Sequence, residues 1–175
     1  MIKETVQVGN PLIRTKSKRV AVPSAQTRKI VSALVESMRH HDLVGMAAPQ
    51  IGSPTRIFVT EVRRTKVRDP KSLDPLRVFV NPKIIHSSTR EVLGWEGCGS
   101  VAFSGLFGKV RRPQSVTVRA QDIEGVSFEL HASGLLARII QHEVDHLNGT
   151  LFIDRASSKT LMSANEYRKA QGRKP

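Results

Sequence analysis

The apolar residues change period along the chain, and the changes divide it into helices and strands. From Gln26 to His41, Ile30, Val31, Leu34, Val35 and Met38 recur at helical spacing behind Pro23-Ser24, a pair suited to opening a helix. An amphipathic helix with one buried face is predicted there, with Met38 in the core and His40 and His41 on the surface. Gly134 to Ile140 (G-L-L-A-R-I-I) is apolar almost all round, with Arg138 its one charge, and predicts a buried helix. Shorter runs predict strands: Arg56 to Val62, Val78 to Val80 leading into Asn81-Pro82 and Ile84-Ile85, Ser115 to Ala120, and Val126 to Leu130 after a turn at Asp122 to Gly125. Gly9-Asn10-Pro11 predicts a turn, and Asp69 to Pro75, with two prolines, an exposed loop. Leu43 to Gly52 is rich in small residues and reads as a tight loop packed on the core. The expected fold is a single α+β domain, in which short antiparallel or mixed strands pack around a central buried helix.

Composition narrows this picture. With 175 residues and 39% apolar positions the chain can build one real core. The expected division is a domain over residues 1–158 and a polar, basic tail over 159–175, with a short helix from about Lys159. Met1 to Val8 is too short and too polar for a signal peptide, and no run of about 18 apolar residues offers a membrane span. A soluble, cytoplasmic protein is expected, or one of an organellar matrix, without membrane partners. The one cysteine excludes an internal disulfide and leaves a thiol for metal or redox chemistry.

Charge adds a partner class. The net charge is +13, a field that attracts polyanions. Basic residues are scattered through Arg14 to Arg19, Arg28-Lys29, Arg63 to Arg68, Arg111-Arg112 and Arg168 to Lys174. No RGG tract, zinc-finger spacing or aromatic-studded strand accompanies them, so sequence-specific nucleic-acid binding is not expected. Loose attraction to RNA or a ribosome stands beside a plain solvated surface.

The candidate chemistry follows the buried helix, at Gln141 to Asn148 (Q-H-E-V-D-H-L-N). His142 and His146, four residues apart, share a helix face and can hold one metal ion, with Glu143 placed to move protons beside it. Burying His142, Glu143, Asp145 and His146 is costly unless they are paired or coordinated, which favours a metal over incidental core histidines. Two ligands hold a metal weakly, and Cys98 supplies a third. It stands between Gly97 and Gly99 in G-W-E-G-C-G-S, beside Glu96, where its sulfur is sterically open. Three protein ligands leave one position free, the catalytic rather than the structural pattern. Water activated there attacks a carbonyl or amide carbon, and the Gln50 amide and the Gly99 backbone N–H are candidate donors to the developing oxyanion. H-E-x-x-H by itself also fits a small metallopeptidase, and the charge also fits a basic ribosome- or RNA-binding protein with a vestigial metal site.

Three ordered motifs resemble those of the peptide deformylases: Leu43-Val44-Gly45-Met46-Ala47-Ala48-Pro49-Gln50 for G-x-G-x-A-A-P-Q, Glu96-Gly97-Cys98-Gly99-Ser100 for E-G-C-x-S, and Gln141 to Leu147 for Q-H-E-x-D-H-L. Gly134 to Glu143, Gly149 to Asp154 and Asn81-Pro82 extend the resemblance over most of the chain. It implies removal of the formyl group from the N-terminal methionine of nascent polypeptides. Cys98, His142 and His146 would bind one divalent metal, with ferrous iron native and zinc, nickel or cobalt accepted. Glu143 would be the general acid/base, and Gln50 with the Gly99 amide would hold the formyl oxygen. Gly45 would lie along the peptide backbone, Met46 and Glu96 would also bind substrate, and Val44, Leu135, Arg138 and Ile139 would line its methionine pocket. The basic tail, with Arg168, Lys169, Arg173 and Lys174, would suit a contact with the ribosome. Three positions depart from the pattern. Leu43 replaces a glycine, Gly99 stands where bacterial members commonly carry leucine, and Val101-Ala102-Phe103 lacks the usual proline.

Overall fold

In the computed structural model of the protein, which describes residues 1–65 and 70–172, three α-helices and eight strands follow one another. In chain order the described elements are α1 (Ala25–His40), β1 (Gly45–Ala47), β2 (Ile57–Val62), β3 (Asp74–Ser87), β4 (Glu91–Gly97), β5 (Leu106–Pro113), β6 (Ser115–Gln121), β7 (Ser127–Ser133), α2 (Gly134–Leu147), β8 (Met162–Ser163) and α3 (Ala164–Ala170). Five strands form an antiparallel sheet ordered β1-β2-β3-β6-β7, and three form a second one ordered β4-β5-β8.

The larger sheet lies between α1 and α2, which explains why β2 is apolar at consecutive positions. Strand alternation sends Phe58 and Phe79 towards α2, where Ala137, Ile140, Val144 and Leu147 receive them, and the two rings stack with centroids 4.4 Å apart. Ile57, Val59 and Val80 point the other way, onto Ile30, Val31, Leu34 and Met38 of α1. That helix starts where expected, because the Ser24 hydroxyl accepts the Thr27 N–H and caps it. A third cluster of Ile13, Cys98, Val101, Val110, Leu151 and Phe152 joins the smaller sheet to the segment after α2.

The segments expected as Val78 to Val80 and Ile84-Ile85 are one strand. It bends at Asn81, whose φ is 53°, and its pairing with β6 shifts register between Val80 and Lys83. Pro82 brings no N–H to the ladder, and an irregularity of this kind accommodates it. The strand begins at Asp74, so only Pro70 to Leu73 of the expected exposed loop is loop in the described residues, with Asp69 outside them. Leu43 to Gly52 is an edge strand followed by a 3-10 turn at Ala48–Ile51, not merely a loop.

The smaller sheet was not expected from the sequence, because glycines and charges interrupt β4 and β5. It also holds the segment after residue 158. Met162 and Ser163 pair with Phe107 and Leu106, and the Ser163 hydroxyl caps a helix that begins at Ala164, later than the expected Lys159. Tyr167 then stacks on Phe107, with ring centroids 4.1 Å apart and planes within 3°, and meets Trp95 edge-on. Of the expected basic surface, Lys66, Arg68, Arg173 and Lys174 lie outside the described residues. Among the described residues no helix is long and apolar enough to cross a membrane.

Tyr167→Ala is therefore expected to lower the thermal midpoint by several degrees, at about 2–4 °C per kcal/mol lost. Tyr167→Phe should hold it within a degree or so of the parent; equal loss in both variants, followed by circular dichroism, would contradict a stacking role.

Candidate metal centre and cleft

Helix α2 delivers its polar residues into the space between the two sheets. Cys98 leaves the end of β4 and meets it there: its Sγ lies 3.2 Å from His146 Nε2, and the ligand atoms of Cys98, His142 and His146 all fall within 4.8 Å of one another. Metal–sulfur and metal–nitrogen bonds of ordinary length at tetrahedral angles would separate such atoms by about 3.5 Å. The His142 and His146 rings are 5.0 Å apart, centroid to centroid, and inclined at 71°. The donor set of one thiol and two imidazoles fits a borderline divalent ion.

The residues behind the ligands fix their orientation. His142 Nδ1 is 2.9 Å from Glu96 Oε2, so its Nε2 is turned to the site, the carboxylate–histidine arrangement of metal centres. Glu96 in turn takes both arms of Arg112, at 2.9 Å each, and one nitrogen of Arg138 at 2.7 Å. Arg112 reaches on to Asp145, which Arg155 also holds. Arg112 is 4% exposed, a correction to its expected place on a basic surface. Burial by itself would lift the Glu96 carboxyl, but Arg112 and His142 outweigh it and hold the group well below the usual carboxylate range.

On Glu143 burial outweighs the opposing pull of the His142 and Arg112 charges, and its carboxyl is pushed up to about 7. Its Oε2 is buried and without a hydrogen-bond partner, as is His146 Nδ1. The carboxylate has room only because residue 45 is glycine: a Cβ there would lie 2.5 Å from Glu143 Oε1 and 2.8 Å from Ile139 Cγ2. The two histidines are driven apart. Burial opposes charge on both, but Cys98 and Glu96 raise His142 well above the ordinary value, whereas burial and the His142 charge lower His146.

Gln50 faces the sulfur from the 3-10 turn. Its Oε1 accepts the Ala47 N–H at 2.8 Å, which directs its Nε2 at Cys98 Sγ, 3.7 Å away, and at Ser100 Oγ. The Gly99 carbonyl accepts from the Thr5 hydroxyl and the Gln7 amide, so a segment near the start of the chain fixes the loop that carries Cys98.

These groups open into a cleft of roughly 100 Å³, several times what one water needs. Val44, Gly45, Gln50, Glu96, Cys98, Gly99, Leu135, Arg138, Ile139, His142 and Glu143 all line it, as the sequence suggested, with His146 behind them. Met46 is the exception. It is wholly buried, and alternation along β1 sends its side chain into the cluster under α1. Arg138 offers the cleft little free charge, since Glu96 and the carbonyls of Val92, Gly94 and Val110 occupy its guanidinium. Sequence reading missed Trp95 and Phe107, the aromatic wall of the cleft, whose place depends on a sheet that the periodicity does not reveal.

A buried thiol and two imidazoles, an unpartnered carboxyl and an apolar cleft beside them define a metal-dependent hydrolase class of site. Comparison with known proteins makes this specific. The polypeptide deformylase family model matches residues 2–161. The peptide deformylase of Dictyoglomus thermophilum is 38% identical over 161 residues, 92% of this chain and 97% of its own. That of Thermomicrobium roseum is 37% identical over 92% of this chain and 89% of its own. A class I type b peptide deformylase from Acinetobacter baumannii superposes with a TM-score of 0.85 at 31% identity, covering 90% of this chain and 99% of that one. The chain belongs to the polypeptide deformylase family.

Two outcomes follow from this geometry. Glu96→Ala strands Arg112 without its main partner and should cost about 3–5 kcal/mol in denaturant unfolding. It should also weaken divalent-metal binding about 10–100-fold in a competition titration, because His142 loses its orienting acceptor. For Glu143, folding raises the pKa from 4.5 to about 7, so the folded form holds a proton that the unfolded chain has released. The associated stability is full below about 4.5 and is lost as pH rises through about 7. In chelator-treated protein, Glu143→Gln should therefore be more stable than the parent by about 1–3 kcal/mol at pH 8, with the difference closing towards pH 4.5. A difference independent of pH would refute the assignment.

Proposed function

We propose that this protein is a metal-dependent amide hydrolase that removes the formyl group from N-terminal formyl-methionine of nascent polypeptides, releasing formate and a free amine. The observation that carries the reading is the convergence of Cys98, His142 and His146 beside the unpartnered Glu143 carboxyl, inside a cleft with an apolar wall. Membership of the deformylase family selects the formyl amide from among the bonds that such a site could cleave.

Cys98, His142 and His146 would hold one divalent ion, ferrous iron as the resident metal with zinc, nickel or cobalt as substitutes. When bound, the ion supplies Lewis acidity, polarising a carbonyl and acidifying water near neutral pH. Glu143 takes the proton of the water that attacks the formyl carbon and passes it to the nitrogen as the C–N bond breaks. Gln50 Nε2, held in direction by its bond to Ala47, and the Gly99 N–H donate to the formyl oxygen as negative charge gathers on it. The peptide adds as an extended segment along β1, which among the described residues is an edge strand, and Gly45 lets its backbone approach. The methionine side chain enters between Val44, Leu135, Ile139 and the Trp95–Phe107 wall, with the stem of Arg138 beside it. Glu96 acts through His142 rather than on substrate. Work on nascent chains suits a cytoplasm or an organellar matrix, where the basic surface, including Arg168 and Lys169 on α3, would favour the ribosome.

Anaerobically purified protein is expected to hold one equivalent of metal and to release formate from formyl-Met peptides. Glu143→Gln should keep the metal and lose turnover by about 10²–10⁴-fold, since it removes a proton acceptor and no ligand. Cys98→Ala should lose the metal. Stoichiometric metal in the parent without formate release would overturn the proposal.

A further inference from the structure

Two departures from the family motifs, Leu43 and Gly99, pack against each other in the cleft wall. A Cβ built on Gly99 would lie 3.0 Å from Leu43 Cδ1 and 3.3 Å from Thr5 Cγ2. Gly99 is not in the left-handed region, so its backbone would accept a side chain; the space is what forbids a large one. Neither backbone can withdraw easily. The Leu43 N–H bonds Met38 O and its carbonyl accepts Arg63 Nη2, while the Gly99 carbonyl is held by Thr5 and Gln7. One side chain fills the gap between two fixed walls, and here it comes from residue 43.

We propose that Leu43 is a specificity-determining residue, supplying from the segment before β1 the apolar surface that covers the Cys98–Gly99 turn and meets the side chains following the formylated methionine. The inference rests on the deformylase reading above. Glu143 lies against Gly45, so a peptide antiparallel to β1 with its formyl carbon at Glu143 runs past Val44 towards Leu43. Leu43 is half-buried, with one side against the cluster under α1 and the other on the cleft. It offers a branched apolar surface at the place where the second and third residues of the peptide pass. Gly99, free of a side chain, lines the cleft beneath Leu43.

The test is a two-by-two cycle of Leu43→Gly and Gly99→Leu, assayed as metal-loaded enzyme on formyl-Met-Ala-Ala and formyl-Met-Leu-Leu. The parent should favour the Leu-Leu peptide by roughly ten-fold in kcat/KM, mostly through KM. Leu43→Gly should bring that ratio close to one, with Leu43→Ala between. Gly99→Leu should lower kcat/KM at least about ten-fold on both peptides, and the double variant should recover to within about three-fold of the parent. Thermal denaturation identifies any variant that is not folded. Gly99→Ala, whose Cβ needs only a small displacement of Leu43, replaces Gly99→Leu if the latter does not fold, with the same sign expected at smaller amplitude. An unchanged peptide ratio in Leu43→Gly and Leu43→Ala, or single effects that simply multiply in the double variant, would overturn the role of Leu43 while leaving the deformylase reading intact. Failure of the metal-loaded parent on both peptides would overturn both.

Discussion

The buried charge cluster around Glu96 and Arg112 is the interaction on which the site depends. Arg112 comes from β5, Glu96 from β4, and Asp145, His142 and Arg138 from α2, so one set of charge-assisted hydrogen bonds joins the small sheet to the helix that carries the H-E-x-x-H motif. A buried ion pair gains little over a well-packed apolar pair, because desolvation consumes most of its attraction. Its worth here is directional. Apolar packing would let the sheet slide against the helix, whereas a bidentate guanidinium fixes the Glu96 carboxylate, and that carboxylate fixes the His142 ring.

Most of the fold was legible where burial leaves a periodic trace. α1 has a single apolar stripe and a serine cap, and α2 is apolar nearly all round, so both helices and the motif on the second followed from the pattern. β2, β6 and β7 followed from short apolar or alternating runs. β4 and β5 did not, because the residues that they bury are partly charged: Glu96 and Arg112 look like surface residues until each is seen to neutralise the other. Met46 shows the converse limit. It belongs to a motif expected to lie along the substrate, but a strand only three residues long still alternates, and its side chain falls on the far face.

The site itself was more legible than its surroundings. Cys98, His142, His146, Glu143 and Gln50 are recognisable by residue type and spacing, and the chain brings them together. What spacing could not convey is negative space. Gly45 matters for the carboxylate oxygen that occupies the place of its missing Cβ, and Gly99 for the leucine that leans over it. Such vacancies belong to pairs of residues far apart in sequence, and a one-dimensional pattern records only one member of each.

The contact between Tyr167 and Phe107 has a consequence for the timing of assembly. The candidate metal ligands are all synthesised by His146, yet one panel of the cleft is backed by a ring made after them, on α3. During translation the chain can thus collapse around its centre while the aromatic wall still lacks its brace. Because that ring packs on Phe107 from α3 and touches none of the candidate ligands, loosening α3 would soften one panel of the cleft while leaving the thiol and imidazoles where they are.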